Sequence, residues 1–429
     1  MPLNSKLAIG IDVGTSGCRA FAIDSKAHIV AEARTPLPEP LRLAGGDVEQ
    51  DAELWWHALV ETLANLLAQV ERSRVASIAI DGTSGTVLIT DEFGQLLHLA
   101  LMYSDNRALD EANRVAAVAP RESAAHGANA SLAKLLWLLP RIPDIAHIHA
   151  PADWLASRLS GLKVAADANS MVKFGWDPLK HEWPTWLASL GVPMEKLPEV
   201  VAPGQPLATV AAGHAQRFGL PLDTAVIAGT SDSTAAIIAT GASQPGDAIT
   251  SLGSTLVTKV VSDIPIFAPE YGVYSQPYGK LWLVGGGSNT GGAVLRHYFT
   301  PQQLEELIPR LDPDRPSGLD YYPLLTPGER FPINDPHLQP RLEPRPADDR
   351  LFLQGILEGI ARIEAQAYAR LTELGAPAPR SVRSVGGGAS NLQWQRIRER
   401  LIGVPVSAAE QGEAAYGAAL LALRGVNPS

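Results

Sequence analysis

Cysteine is almost absent from this sequence. Cys18 is the one cysteine among 429 residues, which excludes an intrachain disulfide and a metal cluster built on cysteines. This shortage fits a reducing compartment, so we expect a cytoplasmic protein. The ten histidines do not show the spacing of metal ligands, and we predict packing or surface roles for them.

Long hydrophobic runs and clusters of basic residues are also missing. No stretch approaches the ~20 apolar residues that a membrane-spanning helix needs, and the run Leu7 to Val13 is too short for a signal sequence. The net charge is −10, from 35 Lys and Arg against 45 Asp and Glu. Nucleic acids and anionic membranes repel such a protein, so we expect neither as a partner.

Three common catalytic or cofactor motifs are absent. The sequence has no Gly-x-Ser-x-Gly and no Walker loop, which disfavours a serine hydrolase and a P-loop enzyme. The run Gly386-Gly387-Gly388 lacks the spacing of a dinucleotide-binding fingerprint, so we reject a Rossmann site.

What the sequence does contain is a strand–turn–strand unit that occurs twice. At 429 residues the chain exceeds what one hydrophobic core usually supports, so two domains are expected. The two turns are Gly14-Thr15-Ser16-Gly17, between strands at 7–13 and 19–23, and Gly253-Ser254-Thr255, between strands at 248–252 and 256–261. This recurrence, half a chain apart, predicts two similar halves.

Further elements follow from hydrophobic spacing. We predict helices at 53–70 (capped by Asp51), 233–240, 351–374, 392–402 and 413–424, and further strands at 28–33, 75–80, 86–90, 224–228 and 381–385. The segment 313–348 is rich in proline and without periodicity, which predicts a long surface loop or lid.

The two turns offer phosphate-binding chemistry. Backbone N–H groups and hydroxyls at Thr15 and Ser16 can point into one concavity, and Asp12 can serve Mg²⁺ directly or through water. An ordinary hairpin turn explains the first motif equally well, and for Gly253-Ser254-Thr255 it is the simpler explanation.

Asp232 and the late glycine run are the other candidates. A kinase needs a carboxylate that accepts a proton from a sugar hydroxyl, and Asp232 follows a buried strand and a Gly-Thr-Ser turn. A helix cap is the alternative for Asp232. The glycine run can let a nucleoside approach the backbone, with Asn391 and Trp394 one turn apart at the next helix; a core position is the alternative for Trp394.

Four motifs in order resemble those of a known family. They are Ile9-Gly10-Ile11-Asp12-Val13-Gly14-Thr15-Ser16, Ala228-Gly229-Thr230-Ser231-Asp232, Ser251-Leu252-Gly253-Ser254-Thr255 and Gly386-Gly387-Gly388-Ala389. The set resembles the FGGY carbohydrate kinases of the actin-like ATPase superfamily, over nearly the whole chain. Within that family the short chain looks most like the small D-ribulose kinases of cyanobacteria and plant plastids, sometimes labelled xylulose-kinase-like, through residues 79–88, 317–324 and 328–332.

The resemblance implies an α/β fold of two actin-like ATPase (ribonuclease H-like) domains around a central cleft. Residues 1–239 would be the N-terminal sugar-binding domain, with the last helix, about 413–429, packing back on it. Residues 240–412 would be the C-terminal nucleotide-binding domain. The implied cofactors are ATP and Mg²⁺, the implied partner is a small sugar, and the implied assembly is a monomer or homodimer.

The resemblance also assigns residues. Asp232 is the implied general base, and the implied sugar-binding residues are Asp12, Ser84, Asp232 and Ser233. The implied Mg²⁺ ligands, direct or through water, are Asp12 and Asp232. The implied nucleotide-binding residues are Thr15, Ser16, Gly253, Ser254, Thr255, Gly387, Gly388, Asn391 and Trp394.

The implied reaction converts D-ribulose and ATP to D-ribulose 5-phosphate and ADP. A D-xylulose or pentitol kinase is one alternative; a nucleotide-binding regulator without sugar transfer is another, although the chain carries no helix-turn-helix or basic region. At Ser84 the longer xylulose kinases typically place histidine, so their sugar contacts do not transfer here. Residues 103–107 resemble the family's Trp-x-Asp-x-Arg segment with tyrosine in place of tryptophan, and their role in sugar binding stays open.

Overall fold

The computed structural model describes residues 6–426. The strands are β1 (Leu7–Val13), β2 (Gly17–Ile23), β3 (Ile29–Pro36), β4 (Leu41–Arg42), β5 (Val48–Gln50), β6 (Val75–Gly82), β7 (Leu88–Thr90), β8 (Ala100–Leu101), β9 (His147–His149), β10 (Ala166–Asp167), β11 (Val200–Val201), β12 (Pro206–Thr209), β13 (Ala225–Ile227), β14 (Asp247–Leu252), β15 (Leu256–Ser262), β16 (Tyr274–Tyr278), β17 (Leu281–Ser288), β18 (Ser381–Val385) and β19 (Val406–Ala408).

The helices are α1 (Ala52–Leu67), α2 (Leu109–Val118), α3 (Ser131–Leu138), α4 (Pro151–Ser160), α5 (Ala168–Met171), α6 (Trp186–Ser189), α7 (Ala212–Phe218), α8 (Asp232–Ala239), α9 (Gly292–Tyr298), α10 (Pro301–Leu307), α11 (Asp349–Glu373), α12 (Leu392–Ile402) and α13 (Ala414–Val426). Across residues 6–426, none of them combines the length and apolar character of a membrane span.

Contacts divide the chain into two compact units. The first unit runs to Ala239 and resumes at Glu413, and the second is Thr240–Gly412. In the first unit six strands pair in the order β12-β13-β6-β1-β2-β3. Strands β1, β6 and β13 are parallel, whereas β2 is antiparallel to β1 and β3 is antiparallel to β2. The parallel strands read as nearly continuous apolar runs because both faces of the sheet are covered.

Helices cover this sheet through close apolar contacts. On α1 the side chains of Trp55, Leu59 and Leu63 are buried against β2 and β3, and Asp51 caps its first turn by accepting the Glu53 N–H. On the other side α13 lies against β1 and α8. A Cβ atom on Gly417 of α13 would lie 1.8 Å from the backbone oxygen of Ala235 in α8, so only glycine permits this approach. The packing holds the start of α8 in place.

The second unit repeats the same strand pattern. Its sheet has the order β16-β17-β15-β14-β18-β19, in which β14, β18 and β19 are parallel, β15 is antiparallel to β14, and β17 is antiparallel to β15. The long helix α11 and helix α12 pack against each other, with Phe352, Leu353 and Ile356 of α11 fully buried. The expectation of two similar halves is confirmed by these two sheets.

One prediction about the second unit holds only in part. The segment 313–348 forms no helix or strand and most of its residues are exposed, as in the predicted surface loop, but residues 321–324 and 331–332 are buried. Tyr321 and Phe331 are only 2% and 1% exposed, since both side chains enter the apolar core. The buried Glu329 accepts hydrogen bonds from the Ser288 hydroxyl and the Asn289 N–H, at 2.6 and 2.7 Å. The segment is therefore a structural part of this unit.

Candidate active site

Three aspartates lie at one edge of the first unit's sheet. Asp12 near the end of β1 pairs in register with Asp81 near the end of β6. Ser231 bridges to Gly82 at the end of β6, and Asp232 is the first residue of α8. The carboxyl ends of parallel strands meet at the same edge of a sheet, so the fold brings these carboxylates together.

The Asp12 and Asp81 carboxyl groups belong to neighbouring positions of two paired strands and interact through their charges. Among residues 6–426 no N–H or hydroxyl donates to Asp12 Oδ1 or to either carboxyl oxygen of Asp81. Burial raises the pKa of both groups, and the Asp12 charge raises that of Asp81 further. The charges of Asp12 and Asp232 both raise the pKa of Asp81, which favours the protonated form of the Asp81 carboxyl group.

Asp232 has the properties of a proton acceptor. Burial raises its pKa to about 6, and the Asp12 charge adds to the rise. The N–H groups of Ser233, 2.6 Å from Oδ1, and of Ser84 oppose that shift, together with the positive charge of Lys173. A carboxylate with a pKa near 6 is ionised at neutral pH yet accepts a proton readily, as a general base requires.

The loop after β6 presents Ser84 beside this carboxylate. The Ser84 hydroxyl oxygen is buried and receives no hydrogen bond from the described part of the chain. Its neighbours are fixed, because the Thr83 and Thr86 hydroxyls lie 2.7 Å apart and Thr86 accepts the Tyr103 N–H. An unpaired hydroxyl on a rigid loop is suited to bind a polar ligand.

The first phosphate-loop candidate offers fewer free donors than the motif suggests. The Gly14 N–H donates to the Gly17 carbonyl at 3.0 Å, which closes the turn between β1 and β2. Thr15 is half-buried and Ser16 is exposed at its tip. The turn therefore keeps the hydroxyls of Thr15 and Ser16 available, whereas the Gly14 amide is already used.

The second unit contains a cavity of about 550 Å³. It brings together six of the predicted nucleotide residues: Gly253, Ser254, Gly387, Gly388, Asn391 and Trp394. Thr255 lies outside its lining. The cavity matches the size of typical small-molecule sites and combines an apolar wall with a few polar groups.

Two of these residues also have structural roles. Trp394 is 2% exposed, and its indole N–H donates to the Leu357 carbonyl at 3.1 Å. Asn391 caps α12, since its side-chain oxygen accepts the Trp394 N–H at 3.0 Å. The core alternative for Trp394 is therefore confirmed, Asn391 also caps a helix, and the same two side chains line the cavity.

Sequence reasoning missed several residues of these sites. Arg296 on α9 lines the cavity and donates to the Ser254 hydroxyl at 2.7 Å, and Glu305 on α10 lines it as well. No local motif marks either residue. Asp81 did carry a signal, because burying a carboxylate near the end of an apolar strand costs free energy, which a functional role can explain.

The segment 103–107 is an internal ion network. Asp105 is fully buried and accepts from the Val48 N–H and from the Arg107 guanidinium. Arg107 also pairs with Glu49 at 2.7 Å and lies over the ring of Trp137. These two charged side chains are committed to partners within the protein.

A second pair of buried acids lies behind the site. Asp167 donates its N–H to Asp153 Oδ1 at 3.2 Å and caps α5 through its own carboxylate. Asn169 on α5 donates to the hydroxyl of Thr230, two residues before Asp232. Burial raises the pKa of both acids, to about 6 for Asp167. The pair thus connects α4 and α5 to the strand end that carries Asp232.

The buried pair Asp153 and Asp167 predicts that the stability of the protein depends on pH. A raised pKa means that the folded protein binds protons more tightly than the unfolded chain, so the free energy of unfolding falls as pH rises from about 4 through about 6. Asp153→Asn keeps the acceptor and removes the charge. By urea unfolding we expect the variant to gain about 1–3 kcal/mol near pH 8 and nothing near pH 4. Equal pH dependence in both proteins would contradict this assignment.

The fold and the site together define a phosphotransferase class, the two-domain sugar kinases with an actin-like ATPase fold. The chain belongs to the FGGY family of carbohydrate kinases: the family's N-terminal domain matches residues 7–239, and its C-terminal domain matches residues 248–426. The predicted family and fold class are therefore confirmed.

Relatives share similarity along almost the whole chain. The xylulose kinase of Streptomyces coelicolor is 28% identical over 440 residues, covering 96% of this chain and 86% of the relative. That of Escherichia coli is 25% identical over 447 residues, covering 98% and 90%. The crystal structure of a xylulose kinase from Brucella ovis has a TM-score of 0.89 at 25% identity, covering 99% and 91%. A Plasmodium falciparum glycerol kinase with ADP shares the fold, with a TM-score of 0.85 at 18% identity, covering 99% and 90%.

Proposed function

We propose that this protein transfers the γ-phosphoryl group of ATP to a hydroxyl of D-ribulose, giving D-ribulose 5-phosphate and ADP in the cytoplasm. The observation that carries the proposal is Asp232, a carboxylate with a pKa near 6 at a helix start, beside Asp12 and the unpaired Ser84 hydroxyl. Carbohydrate kinase activity is the common property of the family to which the chain belongs.

In the proposed reaction Asp232 accepts the proton of the sugar hydroxyl. That oxygen forms a bond to the γ-phosphorus as the bond between the γ-phosphorus and the β–γ bridging oxygen breaks, and ADP leaves with the bridging oxygen. The N–H groups of Ser233 and Ser84 hold the Asp232 carboxylate in place. Since phosphoryl transfer depends mostly on positioning and charge, a fixed base is the principal contribution of these residues.

The carboxylate side chains of this site fit a divalent cation that prefers oxygen ligands. Asp12 Oδ1 and both Asp81 oxygens accept no donor among the described residues, and Asp232 lies close enough for their charges to interact. Within residues 6–426 no three such side chains form a complete metal cluster. Asp12 and Asp232 would hold Mg²⁺ with water and phosphate oxygens as the other ligands. Bound Mg²⁺ would neutralise charge on the phosphates.

Nucleotide binding is assigned to the cavity of the second unit. Gly387 and Gly388 expose backbone to its interior, while the apolar wall includes Leu353, Leu357 and the Trp394 ring. Such a wall suits the flat adenine base, and the Ser254 hydroxyl with its Arg296 partner suits a polar part of the nucleotide. The hydroxyls of Thr15 and Ser16 are proposed to contact the phosphates.

A glycine substitution tests this nucleotide site. Gly387 lines the cavity and a Cβ atom there would meet no protein atom within 4 Å, so we expect Gly387→Val to fill cavity space. We expect the KM for ATP to rise by about tenfold or more, with the thermal midpoint unchanged. Gly213→Val is the matched control, because a Cβ at Gly213 in the first unit also meets nothing within 4 Å. An unchanged KM for ATP would place the nucleotide elsewhere.

D-ribulose and D-xylulose differ only in configuration at one carbon. The small Ser84 side chain, where longer xylulose kinases typically have histidine, supports D-ribulose; the names of the relatives support D-xylulose as the second candidate. We expect kcat/KM for D-ribulose to exceed that for D-xylulose by at least about tenfold, because a site that hydrogen bonds a hydroxyl discriminates strongly. The opposite ratio would assign the protein to D-xylulose.

A further inference from the structure

We propose that Lys173 is a sugar-binding residue of this site and donates to an oxygen neighbouring the hydroxyl that is phosphorylated. This inference rests on the proposed function and adds a residue to it. Lys173 lies in a 3₁₀ turn, Val172–Phe174, directly after α5. Its ammonium donates to the carbonyl of Ser84 at 3.4 Å. Lys173 therefore binds the loop that carries Ser84, a proposed sugar-binding residue.

Ser84 connects the ammonium to the catalytic carboxylate. The Ser84 N–H faces Asp232 closely enough to lower the pKa of that carboxyl group, and the Ser84 carbonyl accepts from Lys173. These two contacts with one residue keep the two charged groups within about 10 Å of each other, a distance that a five-carbon sugar spans. The unpaired Ser84 hydroxyl belongs to the same residue. The loop therefore holds a proton acceptor, a hydroxyl and a cation around one residue.

A second lysine shows by contrast why Lys173 is available. Lys134 is fully buried, and its ammonium donates to the Gly85 and Met102 carbonyls at 2.6 and 2.7 Å. Those bonds commit Lys134 to holding the loop. Lys173 keeps partial solvent exposure and one protein hydrogen bond, which leaves donors for a ligand because an ammonium has three.

Lys173 has no ion-pair partner in the part of the chain that the structure describes, residues 6–426. No carboxylate oxygen there lies within 4.0 Å of its Nζ, so the charge of Asp232 acts on it across a gap rather than by contact. A half-buried cation without a counter-ion is costly unless a ligand compensates it. Oxygens of a polyhydroxy acceptor are suitable partners for this ammonium.

Gly85 provides the space that the lysine occupies. A Cβ atom there would lie 3.3 Å from Lys173 Nζ and 3.4 Å from its Cδ, and the φ of Gly85 is +95°, a conformation that favours glycine. The lysine side chain thus lies along the Gly85 backbone. This contact gives the long side chain a defined direction toward the loop.

The test compares Lys173→Met with Lys173→Arg in the full-length protein. With D-ribulose and D-xylulose as acceptors, we expect Lys173→Met to raise the sugar KM by about ten- to a hundredfold, since a charge-assisted hydrogen bond is lost. The KM for ATP should stay within about twofold, and Lys173→Arg should recover part of the sugar affinity. Lys180→Met, at an exposed lysine seven positions further on, is the control and should leave all constants unchanged.

The outcomes separate this inference from the proposed function. An unchanged sugar KM in Lys173→Met, with an active wild type, overturns the role of Lys173 alone. A loss of kcat without a change in sugar KM also overturns it, because it indicates an effect on Asp232 and not on the sugar. A wild-type protein without turnover of any sugar overturns the proposed function and this inference with it.

Discussion

Replacing Asp232 with asparagine is expected to lower kcat for sugar phosphorylation by about a thousandfold, since a positioned general base contributes about 10²–10⁴ to the rate. Asparagine keeps the size of the side chain and its acceptor for the Ser233 N–H, 2.6 Å away in the wild type, but it cannot take the sugar proton at neutral pH. The measurement is steady-state ADP release at saturating ATP and sugar.

The same variant should bind nucleotide almost normally, because the candidate nucleotide cavity belongs to the second unit and Asp232 to the first. Isothermal titration calorimetry with ATP checks this expected nucleotide affinity. Asp223→Asn is the matched control: Asp223 is exposed just before β13, at the opposite end of that strand. A kcat for Asp232→Asn close to the wild-type value would remove Asp232 from the role of base.

Arg398→Met is expected to produce the largest loss of stability, about 3–5 kcal/mol of unfolding free energy, because it leaves a buried carboxylate without its partner. Arg398 of α12 and Glu364 of α11 are 1% and 0% exposed and share two hydrogen bonds of 2.6 and 2.7 Å. The guanidinium also donates to the Ser384 hydroxyl on β18. The pair therefore fixes two helices against the sheet of the second unit.

Arg396→Met provides the comparison for that prediction. Arg396 lies one half-turn away on the same helix and pairs with Asp314, but the two side chains are 54% and 71% exposed. Such a surface pair contributes at most about 1 kcal/mol. Urea unfolding of both variants measures the difference. Equal losses would show that the buried pair contributes no more than a surface contact.

Much of the fold follows from local sequence. The predicted strand at 381–385 and helix at 392–402 agree with β18 and α12, and Asp51 caps α1 as its position before an amphipathic run predicts. The repeat of a strand pair around a Gly-Ser-Thr turn indicated two similar sheets. These features depend on hydrophobic periodicity and on turn residues. Both can be recognised within a short stretch of sequence.

The features that the sequence did not predict depend on contacts between residues that are far apart along the chain. Asp81 meets Asp12 only because β6 pairs with β1 in a parallel register, and neither strand encodes that register alone. Arg296 reaches the cavity of the second unit, and Lys173 reaches the Ser84 carbonyl, from segments without any local motif. The segment 313–348 is rich in proline and lacks periodicity, which predicts a surface loop, but this pattern does not show that Tyr321, Tyr322 and Phe331 are buried.

The most direct test of the whole account is a coupled ADP-release assay across ketopentoses, pentitols and glycerol, with mass detection of the phosphorylated product. We predict ATP consumption that depends on the sugar, with D-ribulose giving the highest kcat/KM and a product heavier by one phosphoryl group. A protein that binds ATP but never consumes it with any of these acceptors would contradict the assignment as a sugar kinase.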